Sequence, residues 1–180
     1  MAHETNGQQS GRQQGIRDLQ TTINTYRDML YKIAFMQLKN EQDAEDVVQD
    51  VFYQYYKNTP EFAGRDHEKA WFIKVTLNGC RKIWRSAWYR HTAPFPEQEM
   101  AGESRLESDY LKKELHQQIW KAVYELPVKY REVIHLFYYE DLSVKEICSI
   151  TGRRESTVTS QLTRGRDLLR RRLGEDWNFE

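Results

Sequence analysis

Along almost the whole of this 180-residue chain, apolar positions recur at alternating steps of three and four residues, and polar residues fill the other faces. That period belongs to helices with one buried stripe, and no segment long enough to matter shows the two-residue period of a strand. Ile16, Leu19, Ile23, Tyr26, Leu30 and Ile33 make the first stripe. Residues 1–15, rich in Gln and Gly, have almost nothing apolar to bury and read as a disordered tail. A second helix follows Asn40, with Ala44, Val47, Val48, Val51, Phe52 and Tyr55 inward and Asp43, Asp46 and Asp50 on the opposite side. Thr59-Pro60 ends it, because the residue before proline is driven out of the helical region. A third helix is predicted from His67 to Tyr89, burying Phe72, Val75, Thr76, Gly79 and Ile83. Lys74, Asn78, Arg81 and Arg85 then lie along another face, with Trp84 and Trp88 beside them.

Between residues 91 and 108 the periodicity breaks. Pro94, Pro96, Gly102 and the acids Glu97, Glu99, Glu103 and Glu107 mark a flexible linker. Beyond it, Leu111, Leu115, Ile119, Val123 and Leu126 predict a helix ended by Pro127, and Tyr130, Val133, Ile134, Phe137 and Tyr138 predict another. The fold class is therefore all-α, with two small helical domains at 16–90 and 109–175 joined by the linker.

The second domain ends in a helix-turn-helix. Ser143 can cap a short helix, Glu146 can reach back to it, and Ile147 and Ile150 give the inner face. Gly152 terminates that helix in a left-handed conformation. A second helix starts near Ser156, with Val158 and Leu162 facing a core. Its other face carries Thr159, Ser160, Thr163, Arg164 and Arg166, hydroxyls and guanidinium groups suited to base edges and phosphates in a major groove. Gly165 sits within this helix at a cost of about 1 kcal/mol against alanine, as expected where backbone closely approaches another surface.

Net charge is zero, yet the charges are segregated. Residues 41–56 hold five acids and no base, whereas residues 65–90 hold seven bases against Asp66 and Glu68. Different faces are thus built for different partners. Cys80 and Cys148 have no CxxC partner and no nearby histidine, so both read as small buried hydrophobes rather than metal ligands or a disulfide. The five histidines (His3, His67, His91, His116 and His135) are scattered, which disfavours a nucleic-acid enzyme. No apolar run approaches membrane-spanning length and no signal-peptide core is present, so a cytoplasmic protein with no cofactor, metal or small-molecule substrate is expected.

Four blocks in order carry a family resemblance: Asp43-Ala44-Glu45-Asp46-Val47-Val48-Gln49-Asp50-Val51-Phe52, then Trp71-Phe72-Ile73-Lys74-Val75-Thr76-Leu77-Asn78, then Leu126-Pro127 with Tyr130-Arg131-Glu132-Val133, then the helix-turn-helix. In this the chain resembles bacterial extracytoplasmic-function sigma factors. The resemblance implies a non-enzymatic subunit that brings RNA polymerase core to promoter DNA. It places core docking on Glu45, Asp46, Gln49 and Asp50. Minus-ten recognition and melting fall to Trp71, Lys74, Asn78, Arg81, Lys82, Trp84, Arg85 and Trp88, aromatic faces and cations together being what traps an unpaired strand. Minus-thirty-five reading falls to Arg154, Ser156, Thr159, Ser160, Thr163, Arg164 and Arg166. Arg170, Arg171 and Arg172 suit phosphate rather than bases. An anti-sigma factor holding the protein at the membrane is a further implied partner, and the acidic linker is expected to occupy a positively charged polymerase channel. The alternative is a stand-alone helix-turn-helix regulator that binds duplex DNA without polymerase core.

Overall fold

The computed structural model describes residues 5–58, 60–86 and 117–174, with side chains from Leu19 onward. Seven helices and no strand occur among the described residues. The chain divides into two compact units, Met1–Ala87 and Trp88–Glu180.

The first unit is a three-helix bundle of α1 (Thr5–Leu38), α2 (Glu41–Asn58) and α3 (Arg65–Arg85). Helix α1 begins earlier than the apolar stripe predicts, so residues 5–15 are helical where a disordered tail is expected. Gln and Arg are good helix formers but Gly7, Gly11 and Gly15 are not, so the extension depends on the packed turns below, which already nucleate the helix. Tyr26, Leu30, Ile33, Ala34, Met36 and Leu38 are buried along it. The α1–α2 turn is set by Lys39, at φ 57, and by Asn40, whose Oδ1 accepts from the Asp43 amide at 2.9 Å as a helix cap.

In α3 the buried face is Phe72, Ile73, Thr76, Leu77 and Cys80, with Val75, Gly79 and Ile83 only half-buried. The inward set is thus rotated from the expected one. Apolar residues surround this helix, so its periodicity alone does not choose among adjacent stripes. Phe72 is the hub, with its ring centre 4.6 Å from Tyr26, 5.2 Å from Tyr55 and 5.1 Å from Trp71. Gly79 lets α3 approach α2 closely, since a Cβ there would stand 3.0 Å from Val47 Cγ1. The helix ends at Arg85 rather than Tyr89, with Ser86 extended.

The second unit contains α4 (117–124 as described), α5 (Val128–Tyr138), α6 (Val144–Thr151) and α7 (Glu155–Leu173). Ala122, Val123, Leu126, Val133, Ile134, Leu136, Ile147, Ile150, Val158, Leu162 and Leu169 form its core. The predicted capping box is present: Ser143 Oγ accepts from the Glu146 amide at 3.3 Å, and Glu146 Oε2 accepts from the Ser143 amide at 2.8 Å. Gly152 has φ 72, the left-handed region that disfavours a side chain. Gly165 fits its expected role too, because a Cβ there would lie 2.8 Å from Ile134 Cγ1 on α5. Cys80 is buried, but Cys148 is only half-buried, since it flanks rather than joins the Ile147 and Ile150 face.

Candidate nucleic-acid interface

Three surfaces carry the predicted site residues. On α2, Glu45, Asp46, Gln49 and Asp50 are all exposed. Positions 46, 50 and 53 follow one another at helical spacing, so this acidic strip runs on into Tyr53 and Tyr56, which are 62% and 63% exposed. Neither tyrosine is in the docking set that the sequence suggests. Surface aromatics of this size, outside any core stripe, are the signal for a docking face. Gln42 Nε2 donates to Asp46 Oδ1 at 3.1 Å. Half-buried Asp43 behind them has its pKa raised by desolvation and then by the neighbouring Asp46 charge.

On α3, Trp71, Lys74, Asn78, Arg81, Lys82 and Arg85 recur at three- and four-residue steps and form one outward stripe. Lys74, Asn78, Lys82 and Arg85 are exposed and Arg81 is half-buried. Arg81 donates to Asn78 Oδ1 at 3.2 Å, which fixes the amide and leaves its N–H donors outward. Trp71 anchors the start of the stripe in an aromatic cluster, 5.8 Å from Phe62 and 6.2 Å from Tyr55 between ring centres. Trp84 is 38% exposed but lies beside the Leu77 and Cys80 face, about a third of a turn from the stripe. Trp88 and the acidic linker lie outside the described residues. Between α2 and α3, Asp46 and Asp50 face Lys82 across a shallow groove floored by Val47, Gly79 and Ile83, so the acidic and basic surfaces adjoin there.

On α7, Ser156, Thr159, Ser160, Thr163 and Arg164 are exposed and share the face opposite Val158, Leu162 and Leu169. Arg154 is exposed at the helix start. Arg166 does not join them. Its Nε donates to the Tyr138 hydroxyl at 2.7 Å, and its guanidinium stands 5.4 Å and 5.5 Å from the Phe137 and Tyr138 ring centres. That half-buried arginine ties α7 to α5. Arg153 is similarly engaged, bridging buried Glu132 at 2.8 Å and Gln161 at 3.2 Å. Buried Arg131 donates to the Tyr124 and Leu126 carbonyls at 2.7 and 2.9 Å, closing the end of α4.

Comparison with known proteins fits this layout. Residues 22–90 match sigma-70 region 2, and residues 116–169 match sigma-70 region 4. The two matches cover most of the chain in the order the surfaces occupy. The chain belongs to the sigma-70 family. This sigma factor is 28% identical over 158 residues to the RNA polymerase sigma factor SigV of Bacillus subtilis, covering 88% of the chain and 92% of that protein. It is 28% identical to SigW of the same organism, an ECF RNA polymerase sigma factor, covering 84% and 86%. Those relatives place it among the extracytoplasmic-function sigma factors. Its fold is like that of the sigma factor RpoE, solved with the anti-sigma factor NepR from Bartonella quintana (TM-score 0.68, 22% identity, 89% of this chain and 99% of that one). It is also like CnrH, solved with the cytosolic domain of CnrY (TM-score 0.59, 22% identity, 89% and 90%). A stand-alone helix-turn-helix regulator is not favoured, since region 2 lies on the same chain. Among the described residues, no helix is long and apolar enough to cross a membrane, and no group of three or more His, Cys, Asp or Glu side chains is placed to hold a metal.

Proposed function

We propose that this sigma factor binds RNA polymerase core through the exposed face of α2 and directs it to promoters that its two units read separately. The polymerase supplies the phosphodiester chemistry; the sigma factor supplies docking, recognition and strand capture. The observation that carries this reading is the α3 stripe, which combines an anchored tryptophan, an oriented amide and four exposed or half-exposed cations on one helix. A duplex-only binder has no use for that combination. Unpaired bases stack on aromatic faces for about 1 to 3 kcal/mol each, while Lys and Arg neutralise the backbone.

In this reading Glu45, Asp46, Gln49 and Asp50, continued by Tyr53 and Tyr56, meet a basic surface of the core. Trp71, Lys74, Asn78, Arg81, Lys82 and Arg85 take the non-template strand of the minus-ten element, with Trp84 at their edge. The exposed α7 face, Arg154, Ser156, Thr159, Ser160, Thr163 and Arg164, takes the minus-thirty-five duplex. Regulation by an anti-sigma factor, itself anchored in the membrane, suits a chain of two units with an exposed docking face. The structure of RpoE with the anti-sigma factor NepR, and that of CnrH with the cytosolic domain of CnrY, support capture by such a partner and leave its anchoring as part of the proposal. The test is to add the purified chain to core polymerase and map transcript starts genome-wide. Starts that share minus-ten and minus-thirty-five motifs are expected, and no gain in promoter selectivity over core alone would refute the assignment.

A further inference from the structure

Between α2 and α3 the chain turns through residues 60–64, and one side chain holds two consecutive residues of that loop. His67, in the first turn of α3, accepts from the Ala63 amide on Nδ1 at 3.3 Å. Its ring also stands perpendicular to that of Phe62, with 5.6 Å between ring centres. Gly64, at the N-cap position, is extended and offers α3 no side-chain cap, so the side-chain tie between loop and helix is made from within α3, by His67. The imidazole itself is exposed. A histidine on a helix surface has no packing reason to be where it is, and here it spends its acceptor on the loop.

Phe62 passes the constraint on. Its ring lies parallel to that of Tyr55 on α2, 6.4 Å away at 2°, and is inclined at 61° to Trp71 on α3 at 5.8 Å. His67 and Trp71 are four residues apart, one turn along the same face of α3, and Lys74 and Asn78 continue that face. His67 thus heads the stripe assigned to the minus-ten strand. Because Phe62 touches both His67 and Trp71, the loop lies against the head of that stripe. A stacking platform that must be ordered when the strand arrives gives up part of its binding energy to the ordering, and one already held in place does not.

We propose that His67 is a positioning residue for strand capture: its Nδ1 holds Ala63, and with it Phe62, so that Trp71 is fixed before the unpaired strand arrives. This rests on the reading of the α3 stripe as the minus-ten surface. It gives His67 a part in opening promoters without any contact to a base. With Nδ1 as acceptor, the neutral ring carries its proton on Nε2, which points a donor away from the loop. The two nitrogens can therefore be tested apart. Asparagine can place an acceptor oxygen near the Nδ1 position and has nothing at Nε2, whereas glutamine reaches the Nε2 position with its amide and has nothing at Nδ1.

The test uses the full chain assembled with polymerase core. It reads affinity for a single-stranded minus-ten oligonucleotide, permanganate reactivity of unpaired thymines at a target promoter, and affinity for the minus-thirty-five duplex, with a melting curve for each variant. His67→Ala and His67→Gln are expected to weaken oligonucleotide binding about threefold to tenfold, the range of one lost hydrogen bond, and to lower thymine reactivity with it. His67→Asn should recover most of the loss, and duplex affinity should be the same in all three. Phe62→Leu keeps an apolar side chain in the loop without the ring, so its loss should not add to that of His67→Ala in the double variant. The positioning role is overturned if His67→Ala leaves strand binding untouched, or if glutamine serves at least as well as asparagine. It is equally overturned if the loss comes with a fall in duplex affinity, or if the Phe62 and His67 effects add in full. Lys74→Ala probes the underlying reading by itself, since it removes a cation of the stripe and leaves the loop intact. Undiminished oligonucleotide binding and thymine reactivity in that variant would overturn the α3 assignment, and the positioning role with it.

Discussion

Arg153 Nη2 meets Glu132 Oε1 at 2.8 Å, joining the turn of the helix-turn-helix to the middle of α5. The carboxylate is buried and the arginine is 23% exposed. Arg153 also donates to Gln161 on α7 at 3.2 Å, so one side chain sets the angle at which the recognition helix leaves the turn. Removing Arg153 deletes the ion-pair partner of a buried carboxylate, a change that is expensive however modest the net worth of the intact pair. Arg153→Ala should therefore destabilise the second unit by about 2 to 4 kcal/mol. Thermal melting of the full chain measures this, and Glu132→Gln in the same background should recover part of the loss. Equal stability of Arg153→Ala and the parent would show that the ion pair does not hold the turn.

Gly165→Ala is the second case where packing overrides propensity. Alanine gains up to about 1 kcal/mol as a helix former over glycine. Its Cβ would nevertheless sit 2.8 Å from Ile134 Cγ1, a fully buried side chain with little room to move. Overpacking of this kind costs about 1 to 3 kcal/mol, so the net effect should be destabilising. In an Ile134→Ala background the obstructing atom is gone, and Gly165→Ala should become neutral or favourable. A denaturant-melt double-mutant cycle gives the coupling directly.

The two glycine and capping features were legible in the sequence because their chemistry is local. Ser143, Glu146 and Gly152 lie within ten residues, and an internal glycine in an otherwise strong helix already asks for a close neighbour. What was not legible depends on partners remote in sequence. Nothing in the sequence pairs Glu132 with Arg153 until the fold brings them together, and Arg166 reads as part of a basic face until Tyr138 is seen to hold it. The rotation of α3 has another cause: Ile73, Leu77 and Cys80 compete with Val75, Gly79 and Ile83 for the same core, and only the position of Phe72 among α1 and α2 decides between them. Tyr53 and Tyr56 were hidden because the acids beside them dominate the pattern.

Alkaline pH should loosen the first unit through Tyr26. The Tyr26 hydroxyl is pushed up from 10.0 to about 12, by burial first and then by its hydrogen bond to Glu68, which it makes at 3.0 Å. A tyrosine whose folded pKa exceeds its unfolded one favours the fold when neutral. Its contribution is complete below pH 10 and is lost as pH rises toward 12. Stability followed by near-ultraviolet signals should decline across that window, and Tyr26→Phe should flatten the part of the decline that belongs to the first unit. An identical pH profile for parent and variant would remove the assigned role of this phenol.

The α2 face should separate two contributions to core binding. Asp46→Lys with Asp50→Lys reverses charge on exposed positions, where stability usually moves by less than about 0.5 kcal/mol. The association rate with core polymerase should fall, and its dependence on salt should change sign or flatten. Tyr53→Ala with Tyr56→Ala removes exposed aromatic area and should act on dissociation at all salt concentrations. Surface-immobilised core and a salt series distinguish the two. Undiminished association for the charge-reversed chain would move the docking site off α2.

Asn78 offers the cleanest division between holding DNA and opening it. Its carbonyl oxygen accepts from Arg81 at 3.2 Å, so its N–H donors are aimed outward in the middle of the α3 stripe before any DNA arrives. Preorganised donors of this kind are useful to a base that appears only after the strands part, because paired bases present their Watson–Crick edges to each other. Asn78→Ala should then leave minus-thirty-five duplex binding by the second unit unchanged and reduce open-complex formation, read as permanganate reactivity of unpaired thymines at a target promoter. Arg81→Ala should show a weaker version of the same defect, because it frees the amide without removing it, together with a lower salt dependence from the lost cation. Normal thymine reactivity in Asn78→Ala would shift strand capture to Trp71 and the cations around it, and the Arg81 contact would then be a plain helix-surface hydrogen bond with no bearing on melting.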